Sequence, residues 1–170
     1  VSFTHLRNEV SVNCGNSFTM DQVGESSGGC NPWPILEEDK TETDSEVLIH
    51  LYEDCKTEMV KKLRGMFAFV IWDKNEKTLF AARDHFGIKP FYYYNTDEVF
   101  MYGSEIKSFL HHPSFKKELN KEALKPYLTF QYSVLDETFF KGVFKLKPGH
   151  FMVYKDGKIK IEQYWDVEFN

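Results

Sequence analysis

The polar residues that could support chemistry in this sequence fall into three short groups. His111 and His112 are adjacent, but neighbouring helix residues point in different directions and no second ligand cluster is in reach by spacing, which favours a solvated helix end over a metal site. Arg83 and Asp84 could orient a substrate, although a charged pair at a strand end is more often a structural ion pair or turn anchor. Asp44 precedes an amphipathic stretch, where a carboxylate stabilises a helix start. Residue types and spacing alone define no reaction here.

Length and composition indicate one domain and exclude several partner classes. The 170 residues suffice for a buried core, and the aromatic content of 16% favours a thick core or an interface. The net charge of −5 gives no positive field for a phosphate backbone, so no nucleic-acid partner is expected. No apolar run reaches membrane-spanning length, so no membrane partner is expected. Three cysteines at unmatched spacing fit a reducing compartment, and the predicted location is cytoplasmic.

A central block of apolar segments predicts an antiparallel sheet. The run at residues 66–72 is apolar throughout and too short for a helix, which predicts a strand buried on both faces. A polar loop at 73–77 has a suitable length to join it to a second strand at 78–82 in a hairpin. A further apolar run at 91–94 is predicted to complete this central sheet as its third strand.

One long helical segment is predicted ahead of this block. Thr43 and Glu46 have the spacing of a capping box, in which a hydroxyl caps the helix and a glutamate three residues later reaches back. Apolar residues then recur at helical intervals as far as Leu63, which predicts a helix lying against the sheet. We expect an interruption near residues 54–56.

Two shorter helices and a hairpin are predicted after the central sheet. Ser104 is the expected cap of a helix at 105–111. Asn120 is the expected cap of another helix, in which Pro126 lies too deep for a first-turn proline and predicts a kink or a split. A last hairpin, built around an Asp-Gly turn, is predicted over residues 150–165.

The first 42 residues differ from the remainder. Glycine, serine and asparagine are scattered through them and no apolar period persists, which is typical of a loop or linker. Gly28-Gly29 lacks the preceding strand and the following Lys-Ser/Thr that a phosphate-binding loop requires. Residues 1–12 are compatible with either a short strand or an amphipathic turn, and the sequence does not decide between them. The predicted organisation is an atypical, loop-rich segment at 1–42 and one domain at 43–170.

A series of short motifs in that domain carries a family resemblance. They are Thr43-Asp44-Ser45-Glu46-Val47, the segment 63–69, Arg83-Asp84 with Gly87-Ile88-Lys89-Pro90, the segment 103–107, the segment 146–150, and Tyr164-Trp165-Asp166. Each motif is weak by itself. In this order and at this spacing, residues 43–170 resemble, nearly end to end, the glutaminase domain of glutamine-hydrolysing asparagine synthetases.

The resemblance implies a class II glutamine amidotransferase domain. Its fold is α+β, an αββα sandwich of the N-terminal-nucleophile hydrolase type with mainly antiparallel sheets, here partial because the first strands are missing or replaced. In such domains an N-terminal cysteine thiol attacks the glutamine side-chain amide, with its own α-amine as base, and a backbone N–H and an asparagine amide stabilise the oxyanion. A thioester forms as ammonia leaves for a second domain, where ATP has adenylated aspartate and asparagine results.

Little of that machinery is carried over residue by residue. Asp44 matches the carboxylate that holds the α-ammonium group of glutamine, which makes it the predicted substrate-binding residue. Met66 and its strand match, more weakly, the buried path along which ammonia travels between the two sites of the family. No catalytic residue is carried over, because the family's N-terminal cysteine is absent and residue 1 is valine. Cys14-Gly15 looks like the family's first two residues, but too few residues separate it from Asp44 to hold the missing strands, helix and oxyanion loop.

Several expectations follow from the resemblance. The parent protein is expected to hydrolyse glutamine and make asparagine, with ATP and Mg²⁺ bound by a synthetase domain beyond Asn170 and no cofactor or metal in this chain. The chain as printed is expected to lack glutaminase activity. The alternatives are another class II amidotransferase, similar to amidophosphoribosyltransferases, and a degenerate, non-catalytic binding module. Uncovered edges or an uncovered apolar face at the strand over 66–72 would also favour self-association.

Overall fold

The computed structural model describes residues 3–7, 10–14, 44–132 and 135–169, with side chains described from residue 47 onward. Contacts divide the chain into two compact units, Val1–Lys89 with Pro148–Asn170, and Pro90–Lys147. The strands are β1 Phe3–Arg7, β2 Val10–Cys14, β3 Ala68–Asp73, β4 Thr78–Arg83, β5 Tyr92–Asn95, β6 Phe100–Gly103, β7 Val143–Lys145, β8 His150–Lys155 and β9 Lys158–Gln163. The helices are α1 Asp44–Cys55 and α2 Lys121–Phe130, with 3₁₀ helices at Lys56–Lys62 and Ile106–His111.

The first unit is built on a six-stranded sheet in the order β1-β2-β3-β4-β8-β9, in which every neighbouring pair is antiparallel. In the β3–β4 register, Ile71 lies opposite Phe80 and Phe69 opposite Ala82. Both strands are buried along nearly their whole length, as their apolar composition predicts. The antiparallel pairs β3–β4 and β8–β9 confirm the hairpins predicted at residues 66–82 and 150–165.

Helix α1 and the following 3₁₀ helix pack against this sheet through one apolar cluster. Leu48, Ile49, Met59 and Val60 are fully buried there with the aromatic side chains of β3 and β4. Fully burying one such side chain contributes about 1.5–3 kcal/mol. The cluster therefore fixes the position of α1 on the sheet, and with it the start of the helix.

The predicted interruption of this helical segment occurs at Lys56. Its φ of +50° lies in the left-handed region, where α1 ends and the 3₁₀ helix begins. Its ammonium group lies 4.8 Å from the Tyr52 ring centroid and 3.2 Å from the Asp73 carboxylate. The break therefore directs a lysine towards the end of β3.

The second unit contains a three-stranded antiparallel sheet in the order β6-β5-β7. Tyr94, Phe109, Phe115 and Val143 form its buried cluster. Asn120 caps α2, as predicted, because its side-chain oxygen accepts hydrogen bonds from the Glu122 and Ala123 amides at 3.1 and 3.2 Å.

Two predictions about the central sheet are wrong. The strand predicted from Met66 begins at Ala68, and Met66 and Trp72 are 41% and 37% exposed, so the run is not buried throughout. The apolar run at 91–94 forms β5, which pairs with β6 and β7, while β8 takes the place beside β4. Strand pairing depends on contacts between distant segments, which apolar character alone does not specify.

The structure corrects one predicted helix cap and excludes one of two alternatives for the later helix. The segment at Ile106–His111 is a 3₁₀ helix whose N-cap position is Glu105, with no side-chain capping hydrogen bond, so Ser104 is not the cap. Helix α2 continues through Pro126 as one helix to Phe130, so the predicted split is absent and the alternative, a kink at Pro126, stays a prediction.

The segment that precedes α1 contributes β1 and β2, and β2 pairs with β3 along its whole length. The expected open edge of the strand near residues 66–72 is therefore covered, because β2 occupies one side of β3 and β4 the other. The antiparallel sheets and the helices confirm the predicted α+β class.

Candidate functional site

The predicted substrate-binding residue, Asp44, is the first residue of α1. Its side chain and all of Thr43 lie outside the described part of the chain, so the glutamine-binding role and the capping box stay predictions. The helix that carries Asp44 is held at Leu48 and Ile49, both fully buried in the cluster over the sheet. The backbone therefore presents Asp44 at a fixed helix start.

Met66, predicted on the ammonia path, lies just ahead of β3. Its side chain is partly exposed, whereas the next residue, Phe67, is buried. Gly65 immediately before it has a φ of +113°, a conformation that side chains rarely adopt, so the chain turns sharply into this position. The role of Met66 stays a prediction.

A closed turn follows β4 and is organised by the side chain of Asp84. Its carboxylate, 1% exposed, accepts hydrogen bonds from three backbone amides, those of Phe86 at 3.2 Å, Ile88 at 2.9 Å and Lys89 at 2.9 Å. A carboxylate that accepts several amide N–H groups makes strong, charge-assisted bonds. Asp84 therefore holds the turn from inside.

Arg83 closes the same turn from the carbonyl side. Its Nε donates to the Lys89 carbonyl at 2.7 Å, and its Nη2 donates to the Gly87 carbonyl at 2.6 Å. The two charged side chains thus satisfy opposite backbone groups of one loop. This geometry supports the turn-anchor interpretation of Arg83 and Asp84 over a substrate-orienting role. We call residues 83–89 the anchored turn.

The anchored turn is joined to two later segments of the first unit. The Gly149 amide donates to the Asp84 carbonyl at 2.9 Å, and the Gly149 carbonyl accepts from the amides of Tyr164 at 2.9 Å and Trp165 at 3.2 Å. The Tyr164 hydroxyl donates to the Arg83 carbonyl at 2.7 Å. These contacts bring together three of the motifs that carry the family resemblance.

His85 lies where these segments meet, and sequence reasoning did not single it out. Its ring makes edge contacts with Phe67, Tyr164 and Trp165, at centroid distances of 6.3, 5.5 and 4.9 Å. Burial lowers the pKa of His85, the Asp84 charge opposes that effect, and the Arg64 charge adds to it. A histidine beside two charged residues gave no periodic signal that could have marked it.

Burial also raises the pKa of Tyr164, and the Asp84 charge raises it further. The phenol therefore keeps its proton at neutral pH, which the hydrogen bond to the Arg83 carbonyl requires. Tyr164 acts here as a structural donor.

A second polar group fastens the β3–β4 hairpin to the helix break. Asp73, 2% exposed, accepts from the Asn75 and Glu76 amides at 3.1 and 3.0 Å and from Lys56 Nζ at 3.2 Å. Burial raises the pKa of Asp73, but the amides and Lys56 outweigh burial and lower it overall. The pKa of Tyr52 is raised to about 12, mainly by burial and to a smaller extent by the charge of Asp73.

The adjacent histidines lie at the end of the second 3₁₀ helix. Both are exposed, and His112 Nδ1 accepts a hydrogen bond from the Ser114 amide at 3.2 Å. Within the described ranges, no group of three or more His, Cys, Asp or Glu side chains could hold a metal ion. Among the same residues, no helix has the length and apolar character needed to cross a bilayer.

Comparison with known proteins gives the family. A family model described as a glutamine amidotransferase domain matches residues 36–165. Over 130 residues the chain is 42% identical to asparagine synthetase [glutamine-hydrolyzing] 1 of Bacillus subtilis (strain 168), a match that covers 76% of this chain and 20% of the relative. Over 127 residues it is 38% identical to asparagine synthetase [glutamine-hydrolyzing] 3 of the same organism, a match that covers 74% of this chain and 21% of that relative. The chain spans about a fifth of the length of these curated relatives.

Among solved structures, glutamine phosphoribosylpyrophosphate amidotransferase from B. subtilis, complexed with ADP and GMP, aligns over 97% of this chain and 31% of its own, at 16% identity and a TM-score of 0.49. The family match includes the start of α1, the β3–β4 hairpin, the anchored turn and residues 148–165. The chain therefore belongs to the glutamine amidotransferase domain family.

Proposed function

We propose that this chain is part of the glutaminase domain of an asparagine synthetase, whose whole protein takes nitrogen from glutamine and converts aspartate to asparagine with ATP and Mg²⁺. The observation that carries the proposal is the 42% identity over 130 residues to a B. subtilis asparagine synthetase. The ATP and Mg²⁺ belong to the synthetase part of such a protein. The proposed contribution of this chain is to hold glutamine and to line part of the route by which ammonia leaves.

Asp44 is the proposed contact for the α-ammonium group of glutamine. A carboxylate and an ammonium group form a charge-assisted hydrogen bond, which is roughly twice as strong as a neutral one. The buried face of α1 supports this role, because it fixes the helix that carries Asp44. This role requires the Asp44 carboxylate to reach the bound glutamine, and the experiment that closes the Discussion tests this point.

Met66 is the proposed apolar wall of the ammonia route. Its thioether cannot hydrogen-bond strongly, so it would neither hold ammonia nor supply water to it. Its side chain is 41% exposed in this chain, so the proposed role requires that side chain to be covered in the whole protein.

A chimera tests the function itself. Residues 44–165 of this chain would replace the matching segment of asparagine synthetase 1 of B. subtilis, leaving the rest of that protein in place. We expect the chimera to make asparagine from glutamine. Asparagine formation from added ammonia provides the control, because it does not require the glutaminase domain.

Loss of glutamine-dependent synthesis, with ammonia-dependent synthesis retained, would contradict the proposal. A companion chimera carrying the matching segment of asparagine synthetase 3 of B. subtilis gives a matched control for the exchange of segments. If the companion works and the chimera with this chain does not, the cause lies in this chain.

A further inference from the structure

The contacts around His85 join the anchored turn to two other segments of the first unit. Three aromatic rings surround its imidazole, one from the segment before β3 (Phe67) and two from the segment after β9 (Tyr164 and Trp165). Phe86 adds a further contact, with its ring centroid 5.0 Å from that of Trp165. The side chains of the anchored turn thus hold the chain as it leaves β9.

Backbone contacts make the same junction tight. Gly149 has a φ of +65°, and a Cβ atom there would lie 2.5 Å from the Trp165 carbonyl oxygen. The backbones at Gly149 and Trp165 therefore touch directly. The Trp165 side chain lies over this point and packs on the His85 ring. Displacing Trp165 would break the hydrogen bonds from the Tyr164 and Trp165 amides to the Gly149 carbonyl.

The surroundings of His85 do not favour a positive charge. It contacts three aromatic rings, and the charged groups that act on it are Asp84 and Arg64. The Asp84 carboxylate is already committed to three backbone amides, and Arg64 repels an imidazolium. The Tyr164 hydroxyl is directed to the Arg83 carbonyl. Burial and Arg64 together lower the pKa of His85 despite Asp84.

We propose that His85 is a pH-sensitive clasp, which in its neutral form holds Tyr164 and Trp165 against the anchored turn and on protonation releases them. Protonation places a positive charge in a partly buried site that Arg64 also acts on, which disfavours the position of the imidazole against Trp165. The sign follows from linkage: a histidine that stays neutral when packed favours the clasped form above its ordinary pKa, and the clasp weakens as pH falls below that value. This inference goes beyond the proposed function and does not depend on it.

Hydrogen–deuterium exchange of the full chain tests the clasp. Amide protection at Tyr164 and Trp165 would be compared between about pH 7.5 and about pH 5.5, after correction for intrinsic exchange. Free histidine has a pKa of about 6.5. If His85 stays neutral while clasped and takes a proton only after release, amide protection can fall by up to roughly tenfold over this interval. We expect a clear loss for the native chain and no pH-dependent loss for His85→Phe, which keeps a ring but cannot take a proton.

His111→Gln is the matched control, because His111 is exposed and lies in the other unit. It should retain the native loss of protection. Equal protection of the native chain at both pH values, or an undiminished loss in His85→Phe, would overturn the proposal.

A second measurement covers the case in which His85→Phe does not fold. Proton NMR of the native chain should give one common midpoint, below the ordinary histidine value of about 6.5, for the His85 ring and the Trp165 indole. Different midpoints, or an indole signal that does not respond, would overturn the proposal.

Discussion

At the residue scale, the anchored turn depends on two charged side chains that act on the backbone. Asp84 binds three amides and Arg83 binds two carbonyl groups of the same loop. Their adjacency was visible in the sequence, and a turn anchor was the favoured interpretation. The amides that Asp84 binds were not predictable, because they depend on the path of the loop between residues 85 and 89.

Replacing Asp84 with alanine should destabilise the first unit strongly. Three amides would lose a buried, charged acceptor, and hydrogen bonds to charged groups contribute about 1.5–3 kcal/mol each, so we expect a loss of about 3 kcal/mol or more in the free energy of unfolding. Urea denaturation measures it. Asp97→Ala, at an exposed aspartate, is the control and should change stability by less than about 0.5 kcal/mol. Similar stabilities for the two variants would show that the carboxylate does not hold the turn.

Gly87 tests how tightly the turn is packed. It has a φ of +66°, and a Cβ atom there would lie 2.8 Å from Pro148 Cγ and 3.0 Å from the Arg83 guanidinium. Gly157 has a similar φ of +76° but nothing within 4 Å of such an atom. Gly157→Ala should therefore cost only the left-handed backbone penalty of about 1 kcal/mol, whereas Gly87→Ala should cost about 1–3 kcal/mol more because of overpacking. Equal losses for the two variants in urea denaturation would contradict this packing.

At the element scale, the helix break and the β3–β4 hairpin are fastened to each other through Asp73. The sequence predicted the break near residues 54–56 and the hairpin loop at 73–77 separately. Their contact through Lys56 and Asp73 joins residues far apart in the chain, and spacing alone could not indicate it. The same reason explains why the strand at 91–94 was assigned to the wrong sheet, since register and pairing depend on tertiary contacts.

Stability in acid should depend on Asp73. Its pKa is lowered in the folded chain, so its carboxylate stabilises the fold above the ordinary value of 3.8, and that contribution is lost as pH falls through and below this value. The free energy of unfolding should therefore fall more steeply between about pH 5 and about pH 3 for the native chain than for Asp73→Asn, by at most about 1.4 kcal/mol per pH unit. Asp97→Asn serves as the control and should follow the native chain. Parallel pH profiles for the native chain and Asp73→Asn would contradict the role of this carboxylate.

At the scale of the whole molecule, the family and the α+β class were predictable, because short motifs in a fixed order carry the resemblance. Strand β7 was not predicted from the sequence. The pairing of β2 with β3 was not, because the sequence before residue 43 shows no persistent period. This pairing removes the uncovered edge on which the prediction of self-association was based. Apolar side chains nevertheless remain exposed around the end of α2, among them Leu128 at 71%, Phe130 at 60% and Tyr132 at 61%.

Self-association stays a prediction, and these exposed side chains are now its expected cause. Sedimentation velocity should show a dimer or larger species for the native chain and a shift towards monomer for a Leu128→Glu and Phe130→Glu double variant. Thr129→Glu adds charge to the same helix without removing apolar surface, and it should leave the association unchanged. A monomeric native chain over the whole concentration range would contradict the prediction.

The most direct test of the proposed function is the effect of Asp44 on glutamine use in the chimera with B. subtilis asparagine synthetase 1. Asp44→Asn should raise the KM for glutamine by roughly 30-fold or more, because losing one partner of a charged hydrogen bond costs about 2 kcal/mol at least. Asp54→Asn, at an exposed aspartate on the same helix, should leave that KM unchanged, and both variants should retain ammonia-dependent asparagine formation. An unchanged KM for glutamine in Asp44→Asn would contradict the account.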